Sequence, residues 1–352
     1  MLSKRKINKK KLLNNKKNLR LDKFIDLALY QRNGYYLSKK PIGRKFDFVT
    51  SPEISQMFGE IIGVYLLYHW KEKINSKFNL IELGPGNGTL FKDIERTAKI
   101  LPNFFENADV YFIEINKELR KIQVKNLNYF KQSKIRWSKA LNYRSKLPSI
   151  IYSNEFFDCF PVRQFLNDNN HWFERFVKFN EKENRYYSIN KRVISKKILD
   201  YLSNYKRQKI YEVSYSRNKY FEQICKYIKK NRGICILIDY GYNKKIKNFT
   251  LQAIYNHKKT SIFENIGQQD ISSHVNFNEL IEIAKQNKLQ INEFVSQRDF
   301  LKKYGILERK QKLLTKNSNL NKNLLEEEVD RLINVDRMGN LFKCLVVSNY
   351  DY

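Results

Sequence analysis

Hydrophobic residues recur at helical spacing in the first quarter of the chain. Apolar positions follow a helical period over 21–32, which predicts a helix there. A second helix is predicted from about Glu53 to Lys73, because an N-cap hydroxyl at Thr50 precedes a proline and an acid in the first turn. It holds the longest apolar run, the ten residues 61–70. A membrane span takes about twenty, so we predict a buried helix.

From residue 78 onward, short apolar runs alternate with amphipathic segments. The predicted strands are Phe78–Leu83, Val110–Ile113, Ser149–Tyr152, Gly233–Tyr240, Leu289–Val295 and Leu341–Val347, and the predicted helices are Thr89–Leu101, Asn116–Gln123 and Phe277–Asn287. Such alternation predicts an α/β fold with a mostly parallel sheet that carries helices on both faces. The stretch 163–230 is longer than one crossover needs, so we predict an inserted subdomain there.

Composition is that of a globular chain, but the charge is unusual. The 352 residues are 42% hydrophobic and 29% charged, and the formal net charge is +31. Residues 1–20 contain nine Lys or Arg and no acid, which predicts a basic, disordered arm. A nucleic-acid partner is a minor alternative on charge alone, because the wealth of Lys, Asn and Ile is also typical of an AT-rich genome.

The cysteines and histidines indicate neither a disulfide framework nor a metal site. Four of each are scattered without metal-ligand spacing. We therefore predict no metal and a reducing compartment. The basic arm has no apolar signal region and no cleavage site. This favours the bacterial cytoplasm, with the mitochondrial matrix as the alternative.

The clearest chemical motif is a glycine loop between a strand and a helix. The strand 78–83 enters the loop and the helix from Thr89 leaves it, as in nucleotide-binding folds. The spacing is G-x-G-x-G, a proline removes one N–H that a pyrophosphate would need, and an acid ends the strand. A ligand with an adenosine, an ammonium and a sulfonium fits better, so we predict S-adenosylmethionine as cofactor. The predicted cofactor-binding residues of this motif are Glu82, Gly84, Pro85, Gly86 and Gly88.

Acidic residues follow two further strands. Glu114 ends the second strand, where a carboxylate can accept hydrogen bonds from both ribose hydroxyls; nicotinamide cofactors use the same acid. Asn154, Glu155 and Asp158 follow the strand 149–152. Ligands of open α/β sheets lie at the carboxyl ends of the strands, so we expect these three to face the cofactor's methyl group and to hold a cationic substrate. For either carboxylate, a helix-capping role is an equal alternative, and Asp239 after the next strand invites the same two interpretations.

Several segments resemble the MidA family of S-adenosylmethionine-dependent methyltransferases, whose mitochondrial members assist complex I assembly by methylating an arginine of a subunit. They occur in the expected order over about 21–348. The segments are Gly34-Tyr35-Tyr36, Asp47-Phe48, Thr50 to Glu60 (TSPEISQMFGE), Glu82 to Thr89 (ELGPGNGT), Asn154 to Asp158 (NEFFD), Trp172 to Arg175 (WFER), Asp239-Tyr240-Gly241, Asp270 to Phe277 (DISSHVNF) and Met338 to Lys343 (MGNLFK).

The resemblance implies a class I Rossmann-like methyltransferase with a seven-stranded, mostly parallel sheet. Its core is expected over 77–348, after a helical N-terminal lid region at 21–76. The lid is expected to place four residues near the cofactor: Thr50, Ser51, Glu53 and Gln56.

The resemblance also implies the reaction. A protein arginine, as in a complex I subunit, would receive the methyl group by in-line SN2 transfer, with Asn154, Glu155 and Asp158 as catalytic residues. Two alternatives from other classes stay open: a cofactor-binding assembly chaperone without turnover, and an RNA methyltransferase. The sequence makes no prediction of oligomeric state.

Overall fold

The computed structural model describes residues 18–31, 34–38, 50–128, 130, 135–141, 145–316 and 321–350. The predicted arm at 1–20 falls almost wholly outside these residues, and so does the 39–49 part of the predicted lid. No helix in the described ranges is long and apolar enough to cross a membrane. The same ranges hold no group of three or more His, Cys, Asp or Glu side chains placed to bind a metal ion.

Both strands and helices form along the chain. The strands, numbered in chain order, are β1 (Leu19–Arg20), β2 (Phe78–Leu83), β3 (Ala108–Ile113), β4 (Ile135–Ser138), β5 (Ser149–Asn154), β6 (Arg163–Asp168), β7 (His171–Asn180), β8 (Arg185–Arg192), β9 (Ile210–Val213), β10 (Gly233–Tyr242), β11 (Gln252–Tyr255), β12 (Lys258–Thr260), β13 (Asp270–Ser272), β14 (Val275–Asn276), β15 (Gln290–Ser296) and β16 (Phe342–Ser348). The α-helices are Leu21–Tyr30, Tyr35–Ser38, Ser51–Ile54, Gln56–His69, Thr89–Ala98, Asn103–Glu106, Lys117–Asn126, Lys196–Leu202, Tyr215–Asn231, Phe277–Gln286, Gln297–Lys303, Ile306–Lys316, Lys322–Ile333 and Met338–Leu341, with a π-helical turn at Trp70–Ile74 and a 3-10 turn at Ser203–Tyr205.

A large sheet forms the centre of the molecule. Its strand order is β15-β16-β10-β5-β2-β3-β4, and β14 pairs with the end of β10. From β10 to β4 all neighbours are parallel, whereas β16 runs antiparallel to both β10 and β15. All six strands predicted from the sequence lie in this sheet, with ends displaced by two residues at most. The prediction of an α/β fold built on a large sheet is therefore confirmed.

Helices cover both faces of the central sheet. One apolar cluster joins alternate strand residues such as Leu80 and Ile150 to the helices Gln56–His69 and Thr89–Ala98. The other joins the intervening strand residues to the helices Tyr215–Asn231 and Phe277–Gln286. The strands are apolar at nearly every position because both of their faces are buried.

The predicted insertion forms an antiparallel sheet of its own. Strands β6 to β9 pair with one another, and the short β1 joins the edge of β7. The helix Tyr215–Asn231 falls within the stretch 163–230, but Phe221, Ile224 and Ile228 pack it on the central sheet. The helix Leu21–Tyr30 packs against the insertion and against β13, so the N-terminal segment reaches the same end of the molecule.

The predicted helix from Glu53 to Lys73 is wrong in one respect, because it is interrupted. A short helix, Ser51–Ile54, ends at Ser55, whose backbone is extended at φ −148°. The Ser55 side chain then accepts a hydrogen bond from the Met57 N–H and caps a new helix that begins at Gln56. The cap expected at Thr50 makes no side-chain hydrogen bond. The sequence holds two N-cap residues five positions apart, and the second one begins the long helix.

Candidate active site

A cavity of about 350 Å³ lies at the carboxyl ends of β2, β3 and β5. This is where open α/β sheets bind their ligands. The walls come from three distant parts of the chain: the N-terminal helices, the central sheet, and the helix Tyr215–Asn231. Of the residues predicted for the cofactor and the reaction, those that line it are Thr50, Glu53, Glu82, Gly84, Pro85, Gly86, Glu114, Asn154 and Glu155.

The glycine loop forms one side of this cavity. Gly84 has a φ of +63°, which L side chains rarely adopt. A Cβ at Gly84 would lie 2.7 Å from Cδ2 of Phe156, so the loop and the β5 turn can touch only because the side chain is missing. Gly88, also at positive φ, is the N-cap of the helix Thr89–Ala98 and is not a wall residue.

Glu114 is held at the end of β3 by two donors. Its Oε1 accepts the Asn116 N–H at 2.8 Å, and its Oε2 faces Nε2 of Gln123 at 3.4 Å. Burial raises the pKa of Glu114 to about 7, while these hydrogen bonds oppose the rise. Gln123 also donates to the carbonyl of Gly86 at 2.8 Å, so it ties the glycine loop to Glu114.

Sequence reasoning missed Gln123. It is the last residue of the helix predicted there and is polar but fully buried. The available signal was its position: Gln123 follows the apolar Leu119 by one helical turn and therefore lies on the buried face of the helix.

Glu82 is a buried carboxylate at the end of β2. The hydroxyl of Tyr152 donates to its Oε2 at 2.9 Å, and burial raises its pKa to about 8. Tyr152 lies directly opposite Glu82 in the paired strand β5. The acid that the sequence showed inside the strand therefore faces the cavity and is oriented by a neighbouring strand.

Glu155 lies on the turn that follows β5, with its backbone at φ +51°. Its Oε1 accepts the Ser51 N–H at 3.1 Å and the Asn154 side-chain amide at 3.0 Å. Burial, with the nearby charge of Asp158, raises the pKa of Glu155 to about 8. The buried Oδ1 of Asn154 has no hydrogen-bond partner among the described residues, so this oxygen is free to accept a hydrogen bond from a ligand.

Asp158 is not a wall of the cavity, although it is only three residues from Glu155. It is buried and accepts a hydrogen bond from the Tyr240 hydroxyl. Burial raises its pKa, and the Tyr240 hydrogen bond and the charge of Arg217 oppose the rise. Asn154 and Glu155 thus line the cavity, whereas Asp158 does not.

Asp239 holds the turn that carries Glu155. Its Oδ2 accepts the backbone N–H groups of Phe156 at 3.2 Å, Phe157 at 2.8 Å and Asp158 at 3.3 Å. The Glu155 N–H in turn donates to the carbonyl of Ile238 at 3.0 Å. Of the two interpretations open for Asp239, the contacts favour capping of this turn.

Three of the four predicted lid residues meet the site. Thr50 lines the cavity, and Ser51 supplies the N–H bonded to Glu155. Glu53 accepts hydrogen bonds from the Thr89 hydroxyl at 2.6 Å and from the Asn87 amide at 3.2 Å, which ties the short helix to the glycine loop. Gln56 is exposed and lines a separate cavity beside the helix Lys322–Ile333.

Aromatic rings complete the walls: the sequence predicts that Phe156 and Phe160 either line a dry pocket or pack in the core, whereas it assigns neither Tyr30 nor Tyr220 to the site. Tyr30 and Tyr36 stack at a centroid distance of 5.6 Å. Tyr30 donates to the carbonyl of Cys159 at 2.9 Å, and Tyr36 donates to Asp270 at 2.7 Å. On the opposite side the rings are Phe156, Phe160 and Tyr220. Tyr36 belongs to the Gly34-Tyr35-Tyr36 motif, which was the available signal.

The cavity is acidic in a strongly basic chain. Its described wall residues include one cation, Lys139, against the carboxylates of Asp26, Glu53, Glu82, Glu114 and Glu155. The chain as a whole carries a formal +31. Burying carboxylates is costly unless a cation or donors compensate them. Three of these groups have pKa values raised to between about 7 and 8 because such compensation is incomplete, and a bound cation would favour their charged forms, so the site is suited to cationic ligands.

S-adenosylmethionine fits these residues. The glycine loop offers a surface that a side chain at Gly84 would fill. Glu114 can accept from ribose hydroxyls, and the remaining carboxylates match an ammonium and a sulfonium. Pro85 removes a donor that a phosphate would need, and this ligand has no phosphate.

Comparisons with known proteins agree with this chemistry. Residues 61–295 match a family of S-adenosyl-L-methionine-dependent methyltransferases. A mouse protein named "Protein arginine methyltransferase NDUFAF7, mitochondrial" is 30% identical over 88% of this chain and 76% of its own length. The zebrafish protein of that name is 27% identical over 92% of this chain and 83% of its own length.

The fold is also that of a solved structure. A COG1565 superfamily member from Burkholderia thailandensis, bound to S-adenosyl-homocysteine, superposes with a TM-score of 0.84 at 22% identity, over 97% of this chain and 90% of that one. S-adenosylmethionine is the cofactor of the family that residues 61–295 match. This chain belongs to that family, the MidA family of S-adenosylmethionine-dependent methyltransferases.

Proposed function

We propose that this methyltransferase transfers its methyl group to an arginine side chain of a protein. The observation that carries the proposal is the acidic cavity, whose carboxylates exceed what one cationic cofactor needs. A guanidinium is a second cation that such a cavity can hold. The related mouse and zebrafish proteins are named protein arginine methyltransferases, which supports the same acceptor.

The cofactor would be held by the loop and strand-end residues. When bound, S-adenosylmethionine supplies an electrophilic methyl group on a sulfonium. We assign its ribose to Glu114 and its cationic end to Glu82, and the loop 84–88 would also contact it. Thr50, Ser51 and Glu53 would act from the N-terminal side as a lid, because two of them line the cavity and the third is bonded to Glu155.

Glu155 and Asn154 would hold the guanidinium. Oε1 of Glu155 is fixed by two donors, which leaves Oε2 to accept from the substrate. The unpaired Oδ1 of Asn154 offers a second acceptor. A guanidinium has a pKa above 12, so a carboxylate does not deprotonate it before attack, and one proton is released in each transfer. Glu155 has a pKa raised to about 8, so its carboxylate can take that proton.

Replacing one carboxylate tests this role. Glu155→Gln removes the negative charge but keeps the shape, so we expect kcat to fall about 100-fold or more. Binding of S-adenosyl-homocysteine, measured by calorimetry, should change less than about threefold. Glu327→Gln, which replaces an exposed glutamate on the helix Lys322–Ile333, is the control and should leave both values unchanged.

Two results would contradict the proposal. If Glu155→Gln abolishes cofactor binding, then Glu155 belongs to the cofactor site. If wild-type protein binds the cofactor but transfers no methyl group to arginine peptides, a chaperone without turnover or an RNA methyltransferase becomes the better hypothesis. A respiratory complex I subunit stays a prediction for the protein that carries the arginine.

A further inference from the structure

A second cavity, of about 600 Å³, adjoins the candidate active site. The two cavities share three wall residues: Asp26, Pro161 and Ser216. The helix Leu21–Tyr30 and the helix Lys196–Leu202 of the insertion both contribute to the second cavity. The shared residues place the two cavities side by side, so the second lies next to any molecule that occupies the active site.

The charge of the walls changes sign between the two cavities. The described wall residues of the second cavity include four cations and two carboxylates: Arg20, Lys23, Arg163, Lys197, Asp22 and Asp26. Two of the cations are engaged, since Arg20 pairs with Asp22 at 2.7 Å and Arg163 with Glu174 at 2.6 Å.

The other two cations are the lysines. Lys23 lies on the helix Leu21–Tyr30 and Lys197 on the helix Lys196–Leu202, and both are exposed. Among the described residues neither ammonium lies within 4.0 Å of a carboxylate oxygen, although the charge of Lys23 acts on Asp26, which lies on the same helix. Two cations from different elements are thus available beside an acidic active site.

The second cavity adjoins a third, of about 930 Å³. Tyr201 and Tyr215 belong to both, with ring centroids 5.7 Å apart. The guanidinium of Arg163 lies 5.4 Å from the Tyr215 ring centroid, so a cation–π contact holds that ring at the junction. Three consecutive cavities suit an extended chain better than a compact small molecule.

We propose that the second cavity is the docking site of the polypeptide that carries the methyl acceptor, and that Lys23 and Lys197 select acidic residues beside the target arginine. This rests on the proposed function. A segment with an arginine among Asp or Glu residues places its cation in the acidic cavity and its anions beside the two lysines. The insertion, through the helix Lys196–Leu202, thereby takes part in substrate selection.

Three labelled peptides of equal length test the proposal: an arginine between glutamates, an arginine between lysines, and an alanine between glutamates. Their dissociation constants are measured by fluorescence anisotropy with saturating S-adenosyl-homocysteine, at low and high salt. Methyl transfer from S-adenosylmethionine is measured for the two arginine peptides. The variant is Lys23→Glu/Lys197→Glu. The matched control is Lys92→Glu/Lys99→Glu, because these exposed lysines line none of the three cavities.

The glutamate-flanked arginine peptide should bind about tenfold more tightly than the lysine-flanked one, which corresponds to the sum of two exposed ion pairs. High salt should reduce the preference. Lys23→Glu/Lys197→Glu should abolish the preference for glutamate flanks, whereas the control variant should retain this preference. Equal affinities in wild type, or equal losses in both double variants, would overturn the docking site. So would a single-stranded RNA that binds through the two lysines more tightly than the acidic peptides, since the surface would then favour nucleic acid.

The same measurements also distinguish failure of this inference from failure of the proposed function. If the alanine peptide binds to wild type and to the control but not to Lys23→Glu/Lys197→Glu, and neither arginine peptide is methylated, the docking site is supported and arginine methylation is overturned. Methyl transfer to both arginine peptides at equal rates and with equal affinities would support arginine methylation and overturn the docking site.

Discussion

Gly84 contributes to the site through the side chain that it lacks. Gly84→Ala would place a Cβ 2.7 Å from the Phe156 ring at a φ of +63°. We expect S-adenosyl-homocysteine to bind about tenfold more weakly or worse, because either the loop or the Phe156 turn must move. The positive φ should cost about 1–2 kcal/mol of stability in addition. Calorimetric titration and thermal unfolding measure the two effects.

Gly305→Ala is the matched control for that prediction. Gly305 also has a positive φ, of +97°, but a Cβ there would meet only Oε2 of Glu308, at 3.6 Å. The control should lose stability through backbone strain and keep its affinity for the ligand. If both variants bind equally well, close approach at Gly84 is not part of cofactor binding.

The raised pKa of Glu155 predicts a pH dependence. Burial raises that pKa to about 8, so the carboxylate is populated only as the pH rises toward and past this value. The bound cofactor is a cation and should lower this pKa, so with cofactor saturating, kcat/KM for an arginine peptide should rise about tenfold per pH unit below an inflection at or under pH 8 and then level off. Rates measured from pH 6 to 9.5 check this. The inflection should vanish in Glu155→Gln, and its survival there would assign it to another group.

At the scale of elements, burial decided what the sequence could predict. Strand β2 is buried at all six positions, and its apolar run was predicted with its true ends. Strand β8 has one buried residue, Tyr186, and its other positions are half-buried or exposed, so its hydrophobic signal is weak. It forms as the second strand of a hairpin, paired with residues 173–180 of β7, and this pairing is not encoded by burial alone. The insertion was therefore predicted from its length alone.

The turn after β5 depends on a residue of the neighbouring strand. Asp239→Ala would leave three backbone N–H groups of that turn without their acceptor. We expect a loss of about 2–4 kcal/mol in unfolding free energy and a lower kcat, because Glu155 is no longer fixed. Asp239→Asn keeps an acceptor oxygen and should recover most of both. Denaturant unfolding and rate measurements compare the two variants, and equal kcat values for Asp239→Ala and wild type would contradict a positioning role.

At the scale of the whole molecule, the sequence indicated the cofactor side of the site better than the substrate side. Loop spacing predicted Gly84 and Gly86, which line the cavity, because they lie only two positions apart in the chain. The aromatic wall at Tyr30 and Tyr36 meets the turn after β5 only in the folded chain. Proximity in sequence was also misleading, because Asp158 follows Glu155 by three positions yet lies outside the cavity.

Because residues from distant segments line one cavity, a bound ligand should stabilise the N-terminal helices as well as the glycine loop. Tyr30 and Glu53 line it together with Glu82 and Glu114. We expect S-adenosyl-homocysteine to slow amide exchange in the helices Leu21–Tyr30 and Ser51–Ile54, by up to about 100-fold at saturation. Hydrogen–deuterium exchange with mass spectrometry measures this, with Gly84→Ala at the same ligand concentration as control. Protection confined to the loop and to the end of β3 would show that the N-terminal segment does not close on the ligand.

The place of β16 has a consequence for biosynthesis. This strand lies between β10 and β15 but is made after both. While a ribosome is still producing the residues before Phe342, β10 keeps an unpaired edge and β15 has no neighbour to join. The backbone groups of that edge can pair with other nascent chains. The sheet that supports the catalytic centre is therefore completed late, by a strand that enters between two others, and a premature stop before Phe342 would leave an aggregation-prone chain.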